Sequence, residues 1–243
     1  IKGERHGEWV THTLPNMVLS SIVVYENGNE VSSTSYYPNG IISAEYKDDD
    51  QVKLYYDNGN IRMDIKTHKV NNNEIKYSSI YYENGIKSSE KILTNNVDSS
   101  HVEYYSNGQL KLKKIYTNGI FIGRAVKYFE NGGIETVEHY DIEGKKNGVH
   151  IKYFENGQIR RRQRYYKGQL DGESIWFYKN GLISSKQFYV KGIRQGLDLS
   201  YYDNGNMRKK SFYESGKYHG DYITYFDSGE LQDKGEYYNG NKV

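Results

Sequence analysis

Residues 148–172 read GVHIKYFENGQIRRRQRYYKGQLDG, and the stretch from Gly172 to Gly196 repeats the same layout. The recurring word is one or two aromatics, a variable residue, a polar residue and glycine. It stands as Tyr153-Phe154-Glu155-Asn156-Gly157, Phe177-Tyr178-Lys179-Asn180-Gly181 and Tyr201-Tyr202-Asp203-Asn204-Gly205. Working outward in both directions, the word is found ten times, from Val24–Gly28 to Tyr225–Gly229. From Gly108 onward its glycines (Gly108, Gly132, Gly157, Gly181, Gly205 and Gly229) step by 24, 25, 24, 24 and 24 residues. A fixed period of that size defines a repeat architecture, in which function belongs to a repeated surface rather than to one pocket.

Composition supports this. Only 36% of the 243 residues are hydrophobic and the mean hydropathy is −0.90, but 27 tyrosines and a net charge of +2 argue against disorder. Tyrosine buries a ring and keeps its hydroxyl wet, which suits a sheet with little interior. The absence of cysteine excludes disulfides, thiolate metal sites and a thiol nucleophile from the sequence. No apolar run approaches the roughly 18 residues of a membrane-spanning helix. The sequence starts Ile1-Lys2-Gly3, without Met, and ends within a repeat word at Tyr237-Tyr238-Asn239-Gly240. It is therefore expected to be a piece of a longer chain truncated inside a repeat, and its localisation, bacterial cytoplasm or cell envelope, stays open.

Asn-Gly between β-prone runs predicts tight hairpin turns of type I′, with positive φ at both central residues. A second punctuation, Gly-x-x-x-Gly, falls between the tips at Gly3/Gly7, Gly119/Gly123, Gly144/Gly148, Gly168/Gly172, Gly192/Gly196 and Gly216/Gly220. Each repeat is then two short strands and two turns, and frequent glycine leaves no room for helices. Counting from each tip glycine, the aromatic four before it shares a face with the aliphatic six before it, as in Tyr153 and Ile151. The aromatic three before it (Phe154, Tyr178, Tyr202, Phe226) lies on the other face. That aromatic is expected to pair across the turn with the aliphatic two after the tip (Ile134, Ile159, Ile183, Met207, Leu231).

The predicted fold class is all-β: an elongated single-layer antiparallel meander of about ten tandem β-hairpin repeats of period about 24 residues. Residues 1–243 read as one continuous array, with irregular repeats over 1–100 and regular ones over 101–243. Longer loops are expected in the irregular part, at Asp48-Asp49-Asp50, at Asn71-Asn72-Asn73 and around Leu93–Ser100.

The pattern Gly-x4-Tyr-Tyr/Phe-x-Asn-Gly-x-Ile/Leu followed by Tyr-x-x-Gly-x-x-x-Gly resembles the MORN repeat. It is closest to the bacterial variant found in YwqK-family antitoxins. The match covers Gly148–Gly172, Gly172–Gly196 and Gly196–Gly220, and more loosely nearly the whole chain, with His6-Gly7 and His219-Gly220 as further MORN-like pairs. It departs from the pattern between residues 41 and 100. The resemblance implies elongated antiparallel sheets serving as scaffolds, lipid-associated modules or antitoxins.

Catalytic motifs are lacking: the sequence holds no Gly-x-Ser-x-Gly elbow, Walker loop, His-Glu-x-x-His or dinucleotide fingerprint. The seven histidines form no ligand-like spacing, so no catalytic residue, metal site or cofactor is expected. The Asp48-Asp49-Asp50 run reads as a solvated acidic turn, since full calcium-loop spacing is missing. One pattern stands out. Residues three and five after successive tips include Lys111, Lys113, Arg160, Arg162, Lys186, Arg208 and Lys210. Both positions are expected to share one face, which makes a basic ladder along the C-terminal half, with Tyr178 and Tyr202 on the same interaction surface. The plain alternative is a solvated face whose like charges discourage sheet stacking. The leading expectation is a non-enzymatic protein-binding scaffold, an antitoxin or immunity-type partner of another protein such as a toxin. The alternatives are a peripheral module on anionic membrane and a bacterial surface repeat binding sugar or choline. No nucleic acid is expected as a partner.

Overall fold

The computed structural model describes residues 4–48 and 50–243. Ile1-Lys2-Gly3, with the first glycine of the Gly3/Gly7 pair, and Asp49, at the centre of the acidic run, lie outside the described residues. Among the described residues there are 23 strands and no helix.

The chain divides into two compact units, Ile1–Gly119 and Ile120–Val243. The first holds β1 (Gly7–Thr13), β2 (Val18–Glu26), β3 (Asn29–Tyr36), β4 (Ile42–Lys47), β5 (Gln51–Tyr55), β6 (Ile61–Val70), β7 (Asn73–Tyr81), β8 (Lys87–Thr94), β9 (Val97–Tyr104) and β10 (Leu110–Thr117). The second begins with β11 (Ile120–Phe121), β12 (Gly123–Tyr128), β13 (Ile134–Tyr140), β14 (Gly148–Tyr153), β15 (Ile159–Tyr166), β16 (Gln169–Phe177) and β17 (Ile183–Val190). It continues with β18 (Ile193–Arg194), β19 (Gly196–Tyr201), β20 (Met207–Glu214), β21 (Lys217–Tyr225), β22 (Leu231–Tyr238) and β23 (Asn241–Lys242). In the first unit each strand pairs antiparallel with its sequence neighbours. In the second, β12 to β17 do the same, β17 then pairs with both β18 and β19, and the meander runs on to β23. Each unit is thus an open antiparallel meander, as the repeat period requires.

The Asn27-Gly28 tip keeps the expected type I′ turn (φ +50° and +80°), but the later tips, from Gly40 to Gly229, differ from it. Phe154 N–H donates to the Gln158 carbonyl (2.8 Å), and Gly157 N–H donates back to the Phe154 carbonyl (2.9 Å). Gly157 has φ +83°, whereas Asn156 is not among the residues with positive φ. This is the three-residue hairpin loop, a type I turn closed by a left-handed glycine. Asn156 Oδ1 accepts from Gln158 N–H (3.2 Å), which holds the loop from inside. Type I′ geometry sits instead at the opposite ends of the hairpins, at Lys167-Gly168 (φ +46° and +85°), Lys191-Gly192 (+49° and +80°) and Ser215-Gly216 (+50° and +81°). In the irregular half, Asn71-Asn72 (+47° and +65°) and Asn95-Asn96 (+51° and +61°) do the same work without glycine. Only two residues connect β6 to β7 and β8 to β9, so the longer loops expected there are absent. Asparagine tolerates the left-handed region, which is why the missing glycines did not lengthen the chain's path.

The three-residue loop also resets the register. Across it, Tyr153 pairs with Ile159 and Phe177 with Ile183. The aromatic opposite the aliphatic is therefore the one four before the tip, not the expected one three before. A β-bulge follows at once: Lys152 faces Arg161, leaving Arg160 as the extra residue on its strand.

Beyond the bulge the second unit has two distinct faces. One carries Ile151, Ile175, Leu199 and Ile223 with Arg162, Lys186, Lys210 and Lys234 opposite them; it is called the aliphatic face. The other, the tyrosine face, carries Tyr140, Tyr165, Tyr189, Tyr213 and Tyr237, eight residues after successive tips. Its middle is a row of polar side chains: His150 opposite Gln163, Ser174 between Gln163 and Gln187, and Asp198 opposite Ser211. Ser174 and Ser211 are 1% exposed and Asp198 2%. With the neighbouring tyrosines closing over them, these polar groups form much of the small interior.

Candidate interaction surface

Where the tip carries Tyr37, Tyr56, Tyr82, Tyr178 or Tyr202, two hydrogen bonds tie one repeat to the next. The tip tyrosine three before the glycine donates to the backbone carbonyl at the matching shoulder of the following repeat. The pairs are Tyr37 to Tyr55 (2.8 Å), Tyr56 to Tyr81 (2.8 Å) and Tyr82 to Tyr104 (2.9 Å) in the first unit. In the second they are Tyr178 to Tyr201 (2.7 Å) and Tyr202 to Tyr225 (2.9 Å). The tip asparagine adds a second link: Asn180 Nδ2 donates to the Asp203 carbonyl (2.7 Å) and Asn204 Nδ2 to that of Asp227 (3.0 Å). The hydroxyls of Tyr178 and Tyr202, two residues predicted on the interaction surface, are therefore committed to the array itself.

Electrostatic clusters lie inside the tyrosine face. The Asp198 carboxylate receives Arg194 Nη1 at 2.9 Å, with Lys209 Nζ at 3.7 Å. Arg194 also donates to the Tyr213 hydroxyl (3.0 Å) and Tyr189 hydroxyl (3.4 Å), and its guanidinium lies 4.8 Å above the Tyr213 ring. A second cluster surrounds Glu138. His150 is buried, donates through Nε2 to the His139 carbonyl (2.9 Å), and turns Nδ1, which makes no hydrogen bond, toward Glu138 Oε1 at the longer ion-pair distance of 3.8 Å. Tyr140 donates to Glu138 (2.9 Å) and Lys146 lies at 3.2 Å. The neighbouring His150, and then Tyr140 and Lys146, outweigh burial and hold the Glu138 carboxyl down at about 2. Burial, and next the bond to Glu138, push the Tyr140 hydroxyl up. In the first unit Tyr55 is hydrogen-bonded to Glu45, and burial followed by that carboxylate raises its hydroxyl to about 12.

The bulge separates the predicted basic ladder into two sets. Residues three after a tip lie on the tyrosine face: Arg208 lines a depression with Ser200, Lys209, Thr224 and Gln232, and Arg160 lies 5.7 Å over Phe154. Residues five after a tip lie on the aliphatic face: Arg162 lines a hollow with Val149, Glu173 and Phe188. The one-residue insertion shifts the side-chain alternation, so the expectation that both positions share a face fails. Several of these cations are also paired. Lys111 lies 3.1 Å from Glu103 in the first unit. Arg162 (3.4 Å) and Lys186 (2.7 Å) share Glu173, and the Lys186 ammonium holds that carboxyl below the usual range. Lys113 is on the first unit's β10, and Lys210 on β20 opposite Leu199.

Sequence reasoning gave no role to the tyrosines eight after the tip or to Arg194, Asp198 and Trp176. Arg161 covers Trp176 at 5.0 Å, and a hollow of about 510 Å³ beside it is lined by Ser174, Ser184, Ser185, Gln187, Tyr189 and Arg194. The available signal was periodic: Tyr140, Tyr165, Tyr189, Tyr213 and Tyr237 recur at 25, 24, 24 and 24 residues.

The MORN repeat variant family matches residues 100–118, 146–167, 170–191 and 194–215. Over these segments, about a third of the chain, the sequence is similar to that repeat variant. No curated protein matches this chain. Among solved structures it is similar to the Photorhabdus luminescens Tc holotoxin pore with a TccC3 mutation, at 11% identity and TM-score 0.24, covering 95% of this chain and 14% of that one. It is also similar to the TcdB2-TccC3-Cdc42 structure, at 8% identity and TM-score 0.23, covering 96% and 15%. A third is TcdB2-TccC3-TEV, at 10% identity and TM-score 0.22, covering 95% and 14%. The chain spans about one-seventh of the length of these chains.

Proposed function

We propose that this chain is a non-enzymatic protein-binding scaffold, of the antitoxin or immunity type, that engages its partner through the second unit. The observation carrying this reading is an apolar patch on the aliphatic face: Phe188 (43% exposed), Leu197 (48%) and Phe212 (38%), on the neighbouring strands β17, β19 and β20. Leu197 pairs directly with Phe212. Large apolar side chains held together in water mark an association site, and rings on rigid strands lose little entropy on binding. Paired charges at Arg162, Glu173 and Lys186 rim the patch. Such a rim confers selectivity more than affinity.

The test is affinity capture from the native host with the wild-type chain and with Phe188→Ser/Leu197→Ser/Phe212→Ser. A partner recovered at one-to-one stoichiometry by the first and lost by the second is the expected result. Recovery of the same proteins by both overturns the reading. The membrane alternative draws on Lys210 beside the apolar patch, but sharing of Glu173 by Arg162 and Lys186 weakens it. Flotation of the chain with anionic liposomes at low salt, stronger than its capture of any protein, would replace the scaffold reading with that one.

A further inference from the structure

Three arginines of the second unit, Arg160, Arg161 and Arg208, have no carboxylate within 4.0 Å among the described residues, although the unit is rich in acids. Each is laid over a ring: Arg160 at 5.7 Å over Phe154, Arg161 at 5.0 Å over Trp176, and Arg208 at 5.8 Å over Tyr202. Cation–π attraction holds a guanidinium near a ring while leaving N–H donors open to a carboxylate.

Two hollows on the tyrosine face adjoin where Ser185 faces Ser200; Arg208 lines one, Arg161 lies over Trp176 of the other with Arg160 next to it in sequence, and together the hollows make one trough. Arg161 on β15 faces Trp176 on β16, Trp176 faces Ser185 on β17, Ser185 faces Ser200 on β19, and Ser200 faces Lys209 on β20, next to Arg208. Four interstrand steps of about 4.8 Å make the trough about 19 Å across, the length of about six extended residues. Its floor includes Ser184, Ser185 and Ser200, with the Gln187 and Gln232 amides and the Trp176, Tyr189 and Tyr222 rings alongside. Hydroxyls and amides on a floor answer a peptide backbone, and cations at both ends answer acidic side chains.

We propose that this trough binds an extended acidic segment of a partner protein, its carboxylates seated on Arg160, Arg161 and Arg208 over the serine floor. The inference deepens the scaffold reading and rests on it, but uses the opposite face from the apolar patch. A nucleic acid fits less well, because the rings that would stack bases are already covered by guanidiniums. A membrane fits less well because hydroxyls and amides make up much of the lining and its large apolar side chain, Trp176, is covered by Arg161.

The test uses fluorescence anisotropy of a labelled oligoglutamate of about eight residues, an extended chain at neutral pH. It compares the wild type, Arg160→Gln/Arg161→Gln/Arg208→Gln, and the opposite-face control Arg162→Gln/Lys186→Gln/Lys210→Gln. Wild-type binding that weakens with salt, falls at least about tenfold in the trough variant and changes less than about twofold in the control is expected. Should the triple variant lose its fold, Arg208→Gln alone, at an exposed position, is expected to weaken binding about threefold. No binding by the wild type, equal weakening by both triple variants, or tighter binding of oligouridylate or anionic vesicles than of the peptide overturns the assignment. The two readings fail separately. A host partner captured equally by the wild type and the trough variant removes the trough and keeps the scaffold. Peptide binding with no stoichiometric partner does the reverse.

Discussion

Tyr178 donates its hydroxyl to the main-chain carbonyl of Tyr201, one repeat further on, at 2.7 Å. Tyr202 does the same to Tyr225 at 2.9 Å. The tip aromatic is thus a fastener between repeats as well as a ring on a turn, and tyrosine and phenylalanine are not equivalent there. Removing the hydroxyl leaves a half-buried carbonyl short of a partner, at a cost of about 1 kcal/mol. Tyr178→Phe should lower stability by that amount and speed amide exchange in β19 and β20. At Phe154 the hydroxyl is missing by nature, so Phe154→Tyr should raise stability by up to about 1 kcal/mol. Thermal unfolding of both variants checks the pair, and a fall in stability for Phe154→Tyr would show that its site does not admit the fastener.

Much of the fold was legible because the period and the Asn-Gly pairs are strictly local signals. The turn type was misread because Asn-Gly suits two geometries. Pro38 held the deciding clue: in Tyr37-Pro38-Asn39-Gly40, proline has no N–H to close a two-residue turn but suits the second position of a type I turn. From that misreading the face assignment followed, since one inserted residue inverts every later side chain. The polar interior was hidden for a different reason. Ser174, Gln163 and Asp198 look like surface residues one at a time, and only their alignment across strands, with tyrosines closing over them, buries them.

At Gly157 the backbone φ is +83°, and a Cβ there would meet nothing within 4 Å. Substitution is opposed by backbone conformation alone. Gly157→Ala should cost about 1–2 kcal/mol, and Gly157→Val more, because β-branching resists the left-handed region. Gly157→Asn should cost least of the three, since asparagine visits that region readily. If urea denaturation ranks asparagine with valine, sterics rather than φ control this tip.

Asp198 is 2% exposed, whereas its partners Arg194 and Lys209 keep 33% and 21% of their side-chain surface. Removing the carboxylate strands Arg194 between two tyrosine hydroxyls with no anion. Deleting one member of a buried pair costs about 3–5 kcal/mol, and the partial exposure of the cations brings the expectation for Asp198→Ala to about 2–3 kcal/mol. Arg194→Met should cost less, because it leaves Asp198 near Lys209. The double variant should lose at least about 1 kcal/mol less than the two single losses combined. Additive losses in a double-mutant cycle would mean that the buried carboxylate and the guanidinium act independently.

Glu138 sets an acid limit on the second unit. Its carboxyl is held at about 2 against an ordinary 4.5, mainly by His150 beside it and then by Tyr140 and Lys146. A carboxyl whose folded value is depressed stabilises the fold fully above its unfolded value. That contribution fades as pH falls from about 4.5 toward about 2. Glu138→Gln keeps the shape but cannot ionise, so it should be less stable than the wild type at neutral pH and lose less on acidification across that window. The two stability curves should converge near its lower end. Denaturant midpoints followed by tyrosine and tryptophan near-ultraviolet dichroism give both curves, and parallel acid limbs would remove Glu138 as the group responsible.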